Sequence, residues 1–336
     1  MRTMEERTGR WVQFADPSSR VNRLIVINVP EDMPPGPMPW WECMAEWTER
    51  SYMHYEKQLE HMEWLDDDAV PCLRVGTGTE IFAEAFGCRV HKPSDSNPFA
   101  LPMILDASEI PGLKVPKLED TRLTLLFDMA DKLRARAGRD ALFGLPDLQS
   151  PLDVAALIWE KTEFFPAMIE QPEAVEELSG KVKELMFAFL DEWFRRYGTA
   201  CVAHYPDYYF PRGVSLSIDE IGSFSAGMYK RFVAPELASF RDRYGALGLH
   251  CCADSRHQWE NIRDTEGLIL LNLVRDEAQT VESMEFFQGS VALYQNTYVA
   301  DCGTADPEKL HVAFLPFAES KDDALRILDQ FHKDWR

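Results

Sequence analysis

A histidine and a cysteine lie two residues apart in the stretch LGLHCCADSRHQWENI, residues 247–262. The apolar start of this stretch predicts a strand, and alternate side chains of a strand point to the same face. We therefore expect His250 and Cys252 to point together and Cys251 to point the other way. Zinc accepts an imidazole nitrogen and a thiolate, so this H-x-C pair predicts a metal site. The alternative is structural: a small buried cysteine and a hydrogen-bonded core histidine.

A zinc site needs at least one further protein ligand. Cys302 lies six residues past Asn296, in the loop after a later predicted strand. We predict it to be the third ligand, because a second thiolate would match the soft character of Cys252. Glu319 and His204 are expected on the same face and are the next candidates.

A second set of polar residues follows other predicted strands. Side chains that can exchange a proton are needed for acid–base catalysis, and the predicted catalytic residues are His204, Asp207 and Asp147. Arg74 is predicted to hold an anionic group of a substrate. The other predicted substrate-binding residues are Gln149, Asn272 and Asn296. For each of these residues, a hydrogen bond inside the fold is the alternative role.

Eight apolar runs predict the strands that would position these residues. The runs are continuous rather than alternating, as expected of strands buried on both faces. They are 23–29, 70–76, 141–147, 199–206, 247–253, 268–273, 290–296 and 311–317. With helical patterns between them, eight β-then-α units in 336 residues favour an α/β fold, a (β/α)₈ TIM barrel whose strand ends meet at one mouth. An open doubly wound sheet is the alternative.

Two of the helical patterns are especially clear. Residues 171–198 carry apolar side chains at three- and four-residue spacing, which is typical of one face of a helix. Residues 217–245 predict a second helix, and Ser217 and Glu220 have the spacing of a capping box at its start.

The chain is predicted to be one TIM-barrel domain over residues 1–336. Residues 1–64 would form an N-terminal segment and helix, and residues 65–335 the barrel region. A Pro- and Asp-rich stretch, 89–117, is predicted to be an insertion after the second strand. The tryptophan-rich part of the N-terminal segment could line a subunit interface, which leaves a homodimer open.

Composition excludes several classes of partner. The net charge of −21 repels phosphate backbones and anionic lipids, so neither nucleic acid nor a membrane surface is an expected partner. The first twenty residues lack the apolar core of a secretory signal, and the longest apolar stretches are too short to span a bilayer. Seven scattered cysteines indicate reduced thiols and a cytoplasmic protein. The expected ligand is therefore a small-molecule substrate.

Several segments resemble the uroporphyrinogen decarboxylase superfamily. Residues 247–273, which contain the H-x-C pair, resemble the strand-five to strand-six region of that superfamily. The other segments are GLPDLQSPLDVAALIWE, QPEAVEELSGKVKELMFAFLDEWFRRYG and FVAPELASF. The resemblance covers roughly residues 65–335 as a pattern. It implies a TIM barrel, in agreement with the strand count.

One branch of the superfamily decarboxylates tetrapyrroles without a cofactor, and this chain departs from its pattern. An arginine-rich motif is expected near the first strand, but PEDMPPGPMPWWE occupies the position after that strand here. Gly78 and Leu157 align with an Asp and a Tyr of the decarboxylases, and FLPFAES near the end carries no His. These four departures argue against porphyrinogen decarboxylation.

The other branch holds zinc-dependent methyltransferases that pass a methyl group between a corrinoid protein and a thiol. The resemblance implies that His250 and Cys252 are zinc ligands. It also implies a Cys at the eighth strand, where this chain has Pro316 and Phe317. The leading hypothesis is therefore a methyltransferase with Zn²⁺ as cofactor and a corrinoid on a partner protein. The alternatives are a metal-free lyase acting on a small carboxylated substrate and a non-catalytic binding homologue.

Overall fold

The computed structural model describes residues 1–33, 36, 38, 40–93 and 96–335. Strands and helices alternate along most of these residues, so the chain has an α/β fold. The strands are β1 (Arg23–Ile25), β2 (Leu73–Arg74), β3 (Arg89–His91), β4 (Phe99–Leu101), β5 (Phe143–Gly144), β6 (Cys201–Val202), β7 (Tyr209–Phe210), β8 (Gly213–Ser217), β9 (Ala246–Cys251), β10 (Leu268–Leu273), β11 (Ala292–Gln295) and β12 (Val312–Phe314).

Helices cover the strands. They are α1 (Met4–Phe14), α2 (Met44–Met62), α3 (Ile81–Ala85), α4 (Thr124–Ala137), α5 (Pro151–Ile158), α6 (Lys161–Glu170), α7 (Pro172–Tyr197), α8 (Ala226–Met228), α9 (Ala234–Tyr244), α10 (Trp259–Arg263), α11 (Glu277–Phe287) and α12 (Lys321–Asp334). Over the described residues, no helix combines the length and the apolar character that crossing a bilayer requires.

The strands form two main sheets. The larger sheet has the order β1-β12-β11-β10-β9-β8, and all of its pairs are parallel. The smaller sheet has the order β2-β5-β6-β7, with only β7 antiparallel to its neighbour. Each of the eight predicted apolar runs contains one of the parallel strands. Because parallel neighbours end at the same edge, the carboxyl ends of β8, β9, β10 and β11 lie side by side.

Backbone ladders do not join the two sheets into a closed barrel within the described residues. We call the gap between β1 and the segment before β2 the first seam. Here the carboxylates of Asp67 and Asp68 accept hydrogen bonds from the backbone N–H groups of Ile27 and Ile25, at 2.9 and 3.0 Å. Side chains thus replace most of the ladder at this seam.

The second seam lies between the segment after β5 and the end of β8. An isolated parallel bridge joins Gln149 to Ser217 there, with backbone hydrogen bonds from Ser217 to Leu148 and from Ser150 to Ser217. The predicted α/β fold with parallel strands is confirmed, whereas the ladders of the described residues leave two seams and do not close the predicted TIM barrel. Continuous apolar runs show where strands lie, but they do not show which edges pair.

The helix predicted from Ser217 begins later in the structure. Ser217 is the last residue of β8, a strand that the sequence interpretation missed. Val214 and Leu216 are fully buried on either side of Ser215. This short buried segment therefore forms a strand at the edge of the larger sheet. The capping box is formed by Ser225 at the start of α8, and a π-helical turn then leads into α9.

The long helix α7 confirms its sequence prediction. Pro172 lies in its first turn, and Gly198, with φ of +88°, ends it. Its predicted apolar stripe is buried, and the helix packs against α5 and α6: the stripe is Val175, Leu178, Val182, Leu185, Phe189 and Trp193. The predicted insertion 89–117 contains the β3–β4 hairpin, which pairs with neither main sheet.

Candidate metal centre

The end of β9 presents His250 and Cys252 to the same side, as their spacing predicts. The Nε2 atom of His250 lies 2.9 Å from the Sγ atom of Cys252. His250 is buried, whereas Cys252 is exposed at the strand end. Cys251 between them is buried, and its Sγ atom donates to the carbonyl of Ala253. The H-x-C pair is therefore one converging pair of donor atoms.

Asp219 is the third member of this cluster. It begins the 3₁₀ turn that comes after β8, and β8 pairs with β9 so that Ser217 lies opposite His250. One ligand atom from each of Asp219, His250 and Cys252 lies within 4.8 Å of the others. The Asp219 carboxylate also accepts a hydrogen bond from the backbone N–H of Cys252. An oxygen, a nitrogen and a sulfur donor thus converge at the ends of two neighbouring strands.

Asn272 on β10 fixes the orientation of the His250 ring. Its side-chain amide nitrogen donates to the carbonyl of Tyr294 and to Oδ1 of Asn296, so its oxygen faces Nδ1 of His250 at 2.5 Å. An oxygen acceptor at Nδ1 assigns the proton to that nitrogen. The lone pair of Nε2 is then directed at Cys252, as in metal-binding histidines held by a partner at the other nitrogen.

The Cys252 side chain is a thiol rather than a thiolate at neutral pH. Although the residue as a whole is exposed, partial burial of its thiol, together with the smaller effect of the Asp219 carboxylate, raises its pKa to about 11, and Arg275 opposes the rise. A cation bound between the three donors would have to displace this proton. Metal affinity at this cluster would therefore increase with pH.

The imidazole of His204 and the carboxylate of Asp147 lie close together near the same strand ends. Nε2 of His204 lies 3.7 Å from Oδ2 of Asp147, and Gln149 donates to the other oxygen of Asp147 at 2.8 Å. Although 34% of the His204 side chain is exposed to the mouth, burial lowers its pKa, and the opposing effect of Asp147 is smaller. The imidazole is therefore neutral at pH 7 and able to accept a proton.

Arg74 has its charge balanced within the protein. Its Nη2 atom lies 2.5 Å from Oδ1 of Asp207, and its Nη1 atom donates to the carbonyls of Ala203 and His204 at 3.2 and 3.3 Å. The predicted anion-binding arginine and the predicted catalytic Asp207 therefore neutralise each other. Arg74 still borders a cavity of about 590 Å³, whose lining also includes Trp47, Ser51, Thr77 and His204.

The structure does not bring Cys302 to the cluster. Its Sγ atom donates to the carbonyl of Ala305 at 3.5 Å, inside its own loop. The next residues lie beside α11: Gly303 is close to Glu285 and Val281, and the N–H of Thr304 donates to Glu285. Among the described residues, Asp219 rather than the predicted Cys302 therefore supplies the third donor atom that converges with those of His250 and Cys252.

The remaining predicted residues are Asn272 and Asn296, which lie near His250, and Glu319, which does not belong to the cluster. Asn272 and Asn296 belong to the hydrogen-bond chain behind His250, and Asn296 donates to the hydroxyl of Tyr205. The ring of Tyr205 packs edge-on against His250 with centroids 4.9 Å apart. Glu319 lies outside the metal cluster, and its backbone N–H donates to Asp323 at the start of α12.

Residues 72–294 match the model of a known protein family, uroporphyrinogen decarboxylase (URO-D). The solved structure of a methyltransferase from Methanosarcina mazei is similar to this chain, with a TM-score of 0.66. The two chains are 14% identical, and the similarity covers 99% of this chain and 100% of that one. No match is found among curated proteins.

Proposed function

The chain belongs to the uroporphyrinogen decarboxylase family, and we propose that it is a zinc-dependent methyltransferase that passes a methyl group to a substrate thiol. The observation that carries this proposal is the convergence of Asp219, His250 and Cys252 within 4.8 Å. The similarity to a methyltransferase over the full length of both chains supports the choice of branch.

The donor set fits zinc. Carboxylate oxygen, imidazole nitrogen and thiolate sulfur are its usual protein ligands, and three of them leave one position for a substrate. The ring orientation of His250, set by Asn272, suits coordination through Nε2. A bound zinc ion would lower the pKa of a substrate thiol, so that its sulfur would be a nucleophile at neutral pH.

The neighbouring residues supply the rest of the chemistry. The substrate sulfur forms a bond to the methyl carbon while the carbon–donor bond breaks, and that electron pair leaves with the donor. The thiol proton passes to His204, and Asp147 stabilises the imidazolium at 3.7 Å. The part of the substrate beyond its sulfur occupies the cavity of about 590 Å³ that His204 borders, because the three proposed ligands do not line that cavity. The family resemblance supports a methylcorrinoid on a partner protein as the donor.

A metal-free lyase is the second candidate, and one observation favours it. The His204–Asp147 contact is an acid–base pair that needs no metal. The two candidates differ in their response to a chelator, which abolishes the first activity and leaves the second unchanged.

Methylcobalamin and a panel of small alkyl thiols provide the direct assay. We expect S-methyl product from the zinc-loaded protein, detected by mass spectrometry, with loss of the methylcobalamin spectrum. Methyl transfer by the His250→Ala variant should be slower by at least about 100-fold. Loss of a group that hydrogen-bonds a metal ligand lowers activity by about 10–100-fold, and loss of the ligand itself should lower it more. Cys302→Ser is the matched control and should keep the wild-type rate. Methyl transfer that survives both a chelator and His250→Ala would contradict the proposal.

A further inference from the structure

Asp153 is a buried acid that lies behind the proposed metal ligands. It belongs to the first turn of α5, and its side chain is only 5% exposed. It does not belong to the Asp219, His250 and Cys252 cluster. It was not among the polar strand-end residues that the sequence singles out, because it lies on a helix.

The carboxylate of Asp153 binds the backbone of the turn that carries Asp219. Oδ2 of Asp153 accepts from the N–H of Asp219 at 2.6 Å and from that of Glu220 at 3.4 Å. Oδ1 accepts from the hydroxyl of Ser150 at 3.0 Å. The first N–H groups of a helical turn have no partner inside the turn, and here a side chain from another helix supplies one.

This contact determines which way the two acids of the turn point. Glu220 extends outward and pairs with Lys161 of α6, whereas Asp219 turns inward to the N–H of Cys252. The preceding Ile218 is held to β9, because its N–H donates to the carbonyl of His250 at 2.9 Å. With Ile218 fixed on one side, Asp153 fixes the next peptide unit.

The start of α5 does not need the Asp153 carboxylate for its own cap. Ser150 is the N-cap residue, and its hydroxyl accepts from the N–H of Asp153 at 3.0 Å. The carboxylate of Asp153 is therefore available to the Asp219 turn across the second seam.

We propose that Asp153 is a positioning residue that holds the Asp219 carboxylate against His250 and Cys252. It acts through the backbone of Asp219 and does not itself contact the metal position. The proposal rests on the proposed function for the metal, but the placement of the turn can be measured without metal.

Two substitutions separate positioning from general packing. Asp153→Asn keeps an oxygen acceptor for the N–H of Asp219, whereas Asp153→Ala removes it. Glu236→Ala is the matched control: Glu236 is also a buried acid that accepts from the first turn of α5, at Leu152, but its hydrogen bonds go to Leu152 and Ser179 rather than to the Asp219 turn.

Zinc affinity, measured by competition with a chelator, is the first readout. We expect Asp153→Ala to weaken zinc binding by about 10–100-fold, the usual effect of removing a group that orients a ligand, and Asp153→Asn to recover most of that loss. Glu236→Ala should bind zinc as the wild type does. Equal affinity in Asp153→Ala and the wild type, or an equal loss in Glu236→Ala, would overturn the proposal.

Amide hydrogen exchange of the metal-free protein is the second readout. We expect faster exchange at residues 218–220 in Asp153→Ala, with wild-type protection in β9 and α7. Unchanged exchange at 218–220 would overturn the positioning role whatever the metal result. If the wild type binds no zinc, the proposed function fails, while faster exchange at these residues would still support the positioning of the turn.

Discussion

Buried carboxylates occur at both seams between the two sheets, but only at the first seam does the protein supply cations for them. There, Asp67 pairs with the fully buried Arg7 at 2.6 Å, and Asp68 pairs with Arg10 at 2.5 Å. The same two acids accept from Ile27 and Ile25. The first seam is thus a cluster in which positive charge and hydrogen-bond donors match the carboxylates.

At the second seam, the acids Asp153 and Asp219 have no such partner. Among the described residues, neither forms an ion pair with a lysine or an arginine, and Asp219 faces His250 and Cys252 instead. Asp153 is buried and Asp219 is partly buried, and burial of a carboxylate without a cation is costly. A divalent ion between Asp219, His250 and Cys252 would supply the missing positive charge. The first seam therefore stabilises the fold, whereas the second is suited to a ligand.

Removal of an acid at the first seam should have the largest effect on stability. Asp67→Ala leaves Arg7 buried without its partner, and we expect a loss of about 3–5 kcal/mol in the free energy of unfolding. Urea denaturation in the presence of a chelator measures it. The folded fraction should still bind zinc as the wild type does. A loss below about 1 kcal/mol would show that the first seam does not stabilise the fold through this ion pair.

Another buried acid, Glu236, sharpens the comparison because, among the described residues, it neither pairs with an arginine nor belongs to the Asp219, His250 and Cys252 cluster. Burial raises its pKa from 4.5 to about 7. The folded chain therefore holds this proton more tightly than the unfolded chain does. The resulting stability is fully present below pH 4.5 and is lost as the pH rises to about 7.

The Glu236→Gln variant isolates this effect. Relative to the wild type, its free energy of unfolding should increase by about 3 kcal/mol between pH 4.5 and pH 8, at 1.36 kcal/mol per pKa unit. Denaturation at the two pH values measures the difference. A constant difference between variant and wild type would show that the pKa of Glu236 is the same in the folded and the unfolded chain.

Loss of a proposed ligand should affect zinc binding much more than the metal-free fold. Cys252 is exposed, so Cys252→Ser should change the free energy of unfolding by less than about 0.5 kcal/mol in chelator. Zinc at about 100 times its Kd should stabilise the wild type by about 2.7 kcal/mol, and the variant should lose most of this gain. The same zinc-induced gain in both proteins would exclude Cys252 as a ligand.

The smallest effect is expected for Cys302→Ser, because the side chain bonds only within its own loop. Zinc affinity and the rate of methyl transfer should both equal those of the wild type. A clear decrease in zinc affinity would return Cys302 to the ligand set.

The converging pair was predictable because it depends only on local geometry. Residues two apart on one strand share a face in any sheet, so the pairing of His250 with Cys252 can be deduced without the rest of the fold. The same holds for α7, whose stripe is set by the helical period. All eight apolar runs likewise contain strands, because continuous burial leaves a local signal.

The third donor of the cluster, Asp219, was not predictable in this way, because its position depends on which segments are neighbours. Asp219 reaches the cluster only because β8 pairs with β9, and β8 was not predicted as a strand. Only its last residue, Ser217, was assigned, as the start of a helix. The buried run Val214–Leu216 was the available signal. Cys302 was predicted to lie at the site because loops that follow strands generally reach the active-site face. Its own loop lies beside α11 instead. The seams, too, depend on pairing between distant segments.

Zinc stoichiometry and affinity of the purified protein test the central claim most directly. Elemental analysis after zinc loading and removal of excess metal should give one zinc per chain. In chelator competition, Asp219→Ala should weaken binding at least about tenfold, as expected for a ligand compared with its supporting groups. His250→Ala should abolish stoichiometric zinc, and Cys302→Ser should leave it unchanged. A wild-type protein without stoichiometric zinc, or an Asp219→Ala variant of unchanged affinity, would contradict the account.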